Sequence, residues 1–556
     1  MGVFFVRFEV QASFGAERGF MEYLVSQQEM QTYDENTIKQ YKIPSIVLME
    51  RAALMTAEEI KRKWPDRSQK VLVVSGSGNN GGDGIAVGRI LWLAGYDVDC
   101  VMLGNREKAT EQTALQIQIW EAYGGKLYDT IPVGEYDIIV DAIFGVGLTR
   151  EIEGVYAHGI ELINQMNAHI CAVDIPSGIH TDTGKVMGCA ISADLTVTFG
   201  FRKIGQYLYP GVSYCGEIIC VEMGIDEKSF FGNLPRVYSY NDLSDVRLPL
   251  RRPDGNKGTF GKAAVIAGSE KMAGAALLAA ESVFRSGVGM VKLITSENNK
   301  ESILRTLPEC MYTLYKENIF GSDNKEEQEE YWDTFAKEVK DTLEWADCIL
   351  IGPGIGSGET AKRLLHICLY ESRLPIVIDA DGLRILAEEM KRGQVSFEGR
   401  LSILTPHLGE FAVLYGCQIP EAKEHILDYP KHLADKLNSI VVCKDARTIA
   451  VVPDKEAIYF NLSGNAGMAT AGSGDVLAGL ITGLLTQYIV NDRIQNKTGN
   501  DVQNTIGEKA AVNGVYLHGL AGDMAKEKHG EHGMLAGDII GQITDLLKNL
   551  SPGAIE

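Results

Sequence analysis

Short runs of apolar, β-branched residues alternate along this chain with stretches whose apolar positions recur every three or four residues. The run 70–74, KVLVV, is too short and too β-branched for a helix and predicts a buried strand. It enters SGSGNNGGDG at 75–84, after which the spacing predicts a helix over 85–94. Further strands are predicted over 97–103, 137–141, 169–173, 194–199 and 217–221, with a helix over 110–123. Two helices, over 26–41 and from there to Trp64, precede the first strand; the break between them is Ile43-Pro44-Ser45. Strand–helix alternation of this kind implies a parallel sheet with right-handed crossovers.

Residues 234–258, LPRVYSYNDLSDVRLPLRRPDGNKG, interrupt the alternation; they are polar, carry three prolines and show no periodicity, which marks a boundary. Beyond them strands are predicted over 262–267, 290–295, 348–351, 375–381, 401–405 and 439–443, with a small-residue helix over 273–286. Residues 312–344 are charged and weakly periodic and predict a solvated insertion without chemistry. Residues 491–507 predict a polar loop before a closing helix over 509–526. The expected fold class is α/β: two doubly wound domains, over 25–236 and 237–556, behind an N-terminal extension at 1–24.

A length of 556 residues suits two domains, and 60 glycines against 16 prolines suit many tight strand-to-helix turns. Lys and Arg number 53 against 74 Asp and Glu, a net charge of −21 that argues against a nucleic-acid or anionic-membrane surface. No segment reaches the ~18 uninterrupted apolar residues of a membrane span. The ten cysteines form no CxxC pair; the closest, Cys215 and Cys220, are expected on one strand, and reduced core thiols in a cytoplasmic protein are the expectation. Residues 1–20 lack a secretory pattern and read as an extension, with Met21 an alternative start.

Candidate chemistry gathers where strands end. In open α/β sheets ligands bind at the carboxyl edge, and three loops there carry polar side chains beside glycines. The first holds Asn79, Asn80, Gly81, Gly82 and Asp83; the second runs from Asp141 through Gly145, Val146, Gly147, Leu148, Thr149, Arg150 and Glu151; the third holds Asp174 and Ser177. Any one aspartate there could be a helix cap, but three such loops together point to a site. Oxygens of Asn80, Asp141 and Ser177 could hold a hard cation. In the second half, NLSGNAGMATAGSGDVLAGL at 461–480 sets small residues before an apolar helix, an anion-binding arrangement. Asp475, on that helix's first turn, is either a cap or a base. Lys444 and Arg447 are candidates for nucleotide phosphates or simply solvated charges, and His407 is either a ligand contact or a surface histidine.

The set GNNGGDG, DAIFGVGL and VDIPSG resembles the NAD(P)H-hydrate epimerase domain. The set KGTFGKAAVIAGS, IGPGIG, TPHLGEF and NAGMATAGSGD resembles the NAD(P)H-hydrate dehydratase domain, a branch of the ribokinase-like fold. In this order, over about 25–547, the chain is similar to the bifunctional NAD(P)H-hydrate repair enzymes. The resemblance implies that the first domain interconverts R and S hydrates of NADH and NADPH (NADHX and NADPHX), with K+ at Asn80, Asp141 and Ser177 and Asp174 in proton transfer. Residues 79–83 and 145–151 would meet the substrate. It implies that the second domain dehydrates the S form with ADP, giving AMP and phosphate, Mg2+ bridging phosphates. There Asp475 would take the hydroxyl proton, Gly354, His407 and Ala263 would lie on the hydrate side, and Gly474, Lys444, Asp445, Ala446, Arg447 and Thr448 on the nucleotide side. The expected partners are these small molecules and further copies of the chain, a homo-oligomer, with no nucleic acid and no membrane. Two other readings stay open: a small-molecule kinase in the second half, and a non-catalytic binding module in the first.

Overall fold

The computed structural model describes residues 21–249, 251–317, 325–393, 395–495 and 500–550. Of the extension expected at 1–24, residues 1–20 lie outside the described residues, whereas 21–24 belong to the strand Met21–Val25. The first half builds a seven-stranded, all-parallel sheet. Its order is Leu127–Tyr128, Asp97–Met102, Lys70–Ser75, Ile138–Ala142, His169–Val173, Leu195–Phe199, Glu217–Val221. The chain winds outward from Lys70–Ser75 in one direction and from Ile138–Ala142 in the other. These two strands therefore flank the switch point, where the loops from adjacent carboxyl ends part and leave a crevice.

The second sheet has twelve strands. Six, from Met311–Tyr315 through Met290–Ser296, Lys262–Ile266, Cys348–Ile351, Ile376–Ile378 and Ser402–Leu404, lie parallel and lead to Ile440–Cys443. Antiparallel Ile449–Val451 and Ile458–Phe460 follow, and then Val237–Tyr240, Met21–Val25 and Arg202–Lys203. The last two strands come from the first half. Met21–Val25 pairs antiparallel with Val237–Tyr240 and parallel with Arg202–Lys203. One sheet thus crosses the boundary expected near residue 236, and the segment read as aperiodic contains the strand Val237–Tyr240, because four residues are too few to show a period.

The helix Ser473–Ile494 runs through the core, with Val476, Leu480, Ile481, Leu484 and Leu485 fully covered. Its glycines permit close packing on Ala273–Arg285: a Cβ at Gly483 would stand 1.8 Å from the Ser286 Oγ. This helix is long and apolar enough to cross a membrane by composition, but 83% of that apolar window is buried inside the protein.

Three local expectations need correction. The segment read as a solvated insertion contains the strand Met311–Tyr315 and the helix Lys325–Trp345, which buries Trp332, Phe335, Ala336, Val339 and Leu343. The charged run DNKEEQEE masks that apolar stripe. The polar loop expected at 491–507 is helical to Ile494 and again from Asn500, where the helix Asn500–His529 begins earlier than the closing helix expected over 509–526 and includes it. Cys215 ends a short 3-10 turn outside the strand that holds Cys220, and all ten cysteines are free.

Candidate functional sites

At the first site the glycine stretch is itself helical. Helix Asn79–Leu93 starts at Asn79, so NNGGDG forms its first turns rather than a loop before it. Glycine is required there by close approach. A Cβ at Gly81 would lie 1.9 Å from the Gly76 carbonyl oxygen, and one at Gly84 2.3 Å from the Ala142 Cβ. The helix N-terminus is thereby pressed against the switch point with its free amides at the crevice, an arrangement that suits a phosphate.

Asp141, at the end of Ile138–Ala142, is fully buried and accepts hydrogen bonds from the Ser177 hydroxyl (2.6 Å) and amide (2.8 Å). Burial pushes its carboxyl up to about 6, against these hydrogen bonds, and no cation of the chain is among the causes. The single Ser177 hydroxyl proton goes to Asp141, so the Phe144 carbonyl oxygen, 3.1 Å from the same Oγ, receives none from it. The Asn80 Nδ2 is buried without a partner, its side chain against Gly145. One carboxylate with neutral hydroxyl and carbonyl oxygens beside it fits a large, singly charged hard cation. Among the described residues no three His, Cys, Asp or Glu side chains converge on a metal position.

Asp174 follows the strand His169–Val173 in a left-handed conformation, φ 68°, a strained backbone for a residue with a Cβ. Its Oδ1 takes hydrogen bonds from the Lys203 Nζ (2.5 Å), the Thr198 Oγ1 (3.0 Å) and the Phe199 amide (3.3 Å). Gln206 Nε2 donates to its carbonyl at 2.7 Å. Lys203 is fully buried on the edge strand shared with the second sheet. The Asp83 carboxyl is raised well above its usual range by burial and by the charges of Asp174 and Asp34. Of residues 145–151, Gly147, Thr149, Arg150 and Glu151 are exposed beside this crevice, whereas the Leu148 side chain joins the core.

The second site lies at the start of Ser473–Ile494. Gly472 is the N-cap, with φ 90°, and no side chain caps the helix, so Asp475 is not a cap. Burial and the charges of Asp379, Asp381 and Glu410 raise the Asp475 carboxyl to about 7, against the pull of Lys444. Lys444 donates to the buried Asp379 at 2.6 Å, and Thr405 Oγ1 donates to the same oxygen at 2.8 Å. A Cβ at Gly474 would sit 3.2 Å from the Lys444 Nζ, so backbone, lysine and two aspartates crowd one spot. Gly354 turns beside Met272 and Ala275 with φ 62°, and the amide of Gly356 donates to Asp381 at 2.9 Å.

Some expected residues play other local parts. The exposed His407 caps the helix Leu408–Tyr415, its Nδ1 accepting from the amides of Gly409 and Glu410. Arg447 donates to the carbonyls of Tyr207 (3.3 Å) and Leu462 (3.1 Å), fastening the Asp445–Ala446–Thr448 segment to the first half. Ala263 is fully buried near the start of its strand, away from the carboxyl edge. Sequence reading missed Asp379 and Glu410, although both lie inside apolar strand-end motifs that drew notice. It also missed Lys203, Gln206 and Asp34, for which no sequence signal stands out.

Two α/β halves, each with a lysine–aspartate pair at the carboxyl edge of a parallel sheet, define a two-centre enzyme. Residues 45–205 match the family model described as YjeF-related protein N-terminus, and residues 263–545 that of NAD(P)H-hydrate dehydratase. The bifunctional NAD(P)H-hydrate repair enzyme of Thermofilum pendens is 34% identical over 94% of this chain and 95% of its own. That of Escherichia coli is 32% identical, over 88% and 87%. Among solved structures, an ADP/ATP-dependent NAD(P)H-hydrate dehydratase from Bacillus subtilis, co-crystallised with ATP/Mg2+, is 28% identical with a TM-score of 0.42, covering 55% of this chain and 95% of that one. The chain belongs to the bifunctional NAD(P)H-hydrate repair enzyme family.

Proposed function

We propose that this chain restores hydrated nicotinamide cofactors in two steps. The first site epimerises R- and S-NAD(P)HX, and the second dehydrates the S form with ADP, releasing NAD(P)H, AMP and phosphate. The observation that carries the reading is Asp475, a carboxyl near 7 beside Lys444 and the helix amides. Near neutrality such a group can take the substrate's hydroxyl proton as that oxygen attacks the terminal phosphorus of ADP. The hydroxyl then departs as phosphate, a far better leaving group than hydroxide, while Lys444 and the helix N-terminus offset the developing anionic charge. Mg2+ belongs with the nucleotide in this reading, since among the described residues no group of three or more His, Cys, Asp or Glu forms a cage for it.

At the first site Asp174 is the base, and the helix Asn79–Leu93 receives the pyrophosphate. Asn80, Asp141 and Ser177 would hold K+, which supplies a fixed positive charge beside the substrate's phosphates. Residues 145–151 would lie against the ligand, and Gly354 and His407 would border the hydrate at the second site. Free cysteines support a cytoplasmic setting, and a homo-oligomer is expected, to be checked by light scattering.

The test is a mixture of R- and S-NADHX with ADP, Mg2+ and K+, followed by the return of reduced-nicotinamide absorbance. Complete recovery is expected. A stall at the S fraction would sink the epimerase assignment, and no recovery with ADP or ATP would sink the dehydratase assignment.

A further inference from the structure

The first crevice holds more acid than one base needs. Asp34, on the helix Gln27–Lys39, Asp83 and Asp174 lie close enough for their charges to act on one another. Lys203 is hydrogen-bonded to Asp174, and the buried Cys220 thiol feels the charges of Asp174, Lys203 and Arg202. Glu35 adds a further negative charge beside Asp34. The Lys203 ammonium is fully covered, and its three partners are the Asp174 Oδ1, the Thr198 Oγ1 and the Phe199 carbonyl. It therefore cannot reach a substrate. All three hydrogen bonds to the Asp174 carboxylate fall on Oδ1, which leaves Oδ2 without a hydrogen-bond partner among the described residues. The half-buried Asp83 carboxyl has no hydrogen-bonding partner among the described residues.

We propose that Asp83 and Asp174 form an acid–base pair for epimerisation, and that Lys203 is the positioning residue that decides which of them carries the proton. The proposal rests on the epimerase reading of this site. Of the two acids only Asp174 holds an ammonium, that of Lys203, while Asp83 has no cation partner among the described residues, so Asp174 is placed to accept a proton and Asp83 to donate one.

The chemistry follows from the substrate. Water added across an enamine double bond leaves its hydroxyl on the carbon bonded to nitrogen. Asp174 removes the hydroxyl proton, and the O–H electron pair becomes the second bond of a carbonyl. The carbon–nitrogen bond breaks with its pair going to nitrogen, which takes the Asp83 proton. Rotation of the freed aldehyde and reversal of each transfer close the ring on the opposite face. Asp83 regains its proton and Asp174 loses one, with no redox change and no third reactant.

The experiment follows interconversion of R- and S-NADHX by the full-length protein across pH, by chromatographic separation of the epimers without ADP. The wild type should show a bell-shaped profile. Asp83→Asn should lose its alkaline limb and about 100-fold or more of the rate. Lys203→Met should move the acid limb to higher pH, since Asp174 loses the cation that favours its charged form, and Lys203→Arg should restore it. Dehydration of S-NADHX with ADP by the same variants should stay at the wild-type rate, which reports an intact fold. An Asp83→Asn protein with the wild-type profile overturns the pair. A Lys203→Met protein that is slower at an unmoved acid limb overturns the role given to Lys203. A wild-type chain that leaves the R epimer untouched refutes the epimerase reading itself, which is a separate failure.

Discussion

Removing the charge of Asp379 should make the dehydratase site work at lower pH. Asp475 stands at about 7, and after burial the first cause is the negative charge of Asp379. Asp379→Asn removes that repulsion and leaves the Lys444 ammonium opposed only by burial and the charges of Asp381 and Glu410. A group at about 7 is ionised in about one molecule in ten at pH 6. A downward shift of only about one unit raises that to about half, a roughly five-fold gain in competent enzyme at pH 6. Two unit charges about 6 Å apart at an effective dielectric of about 20 interact by about 3 kcal/mol, or about two pKa units, so one unit is a conservative expectation. The assay is kcat/KM for S-NADHX at fixed ADP and Mg2+ from pH 5.5 to 9. The wild type should rise through a midpoint near 7, and Asp379→Asn through a lower one, even where its plateau falls. A midpoint that stays or moves upward would refute Asp475 as the base governed by this pair.

The raised carboxyl also costs stability, in a defined pH window. Below its unfolded value of 3.8 Asp475 is protonated in both states; above about 7 it is ionised in both, and the full penalty is present. Asp475→Asn should therefore melt higher than wild type at pH 8, by at most about 4 kcal/mol and less for a side chain with some solvent access, and no higher at pH 3.5. Calorimetry at the two pH values checks this. Trp332→Ala should destabilise by about 3–5 kcal/mol, as expected of a core aromatic, whereas a solvated insertion would lose almost nothing; denaturant titration separates the two. Exchanging K+ for a bulky organic cation should slow epimerisation and leave dehydration of pure S-NADHX unchanged; equal loss of both, or of neither, would remove the cation from Asn80, Asp141 and Ser177.

Strand positions, the glycine-rich carboxyl edge and the two acids Asp174 and Asp475 are all visible along the chain. They rest on short-range rules: apolar runs bury, glycine permits close approach, and ligands meet strand ends. The charge partners are not visible, because folding alone sets them side by side. Lys203 stands 29 residues from Asp174, and Lys444 65 residues from Asp379. A lysine after a strand looks solvated until the fold buries it. Helix Lys325–Trp345 was obscured for the opposite reason, since its exposed face carries a charged run that outweighs its five buried apolar residues when composition is averaged. The sheet that joins the two halves through Met21–Val25 and Arg202–Lys203 is likewise a product of edge pairing, which depends on where strand edges meet in space. The chain's order carries the elements and the reactive residues; three-dimensional packing decides their protonation, because burial and distant charges set it.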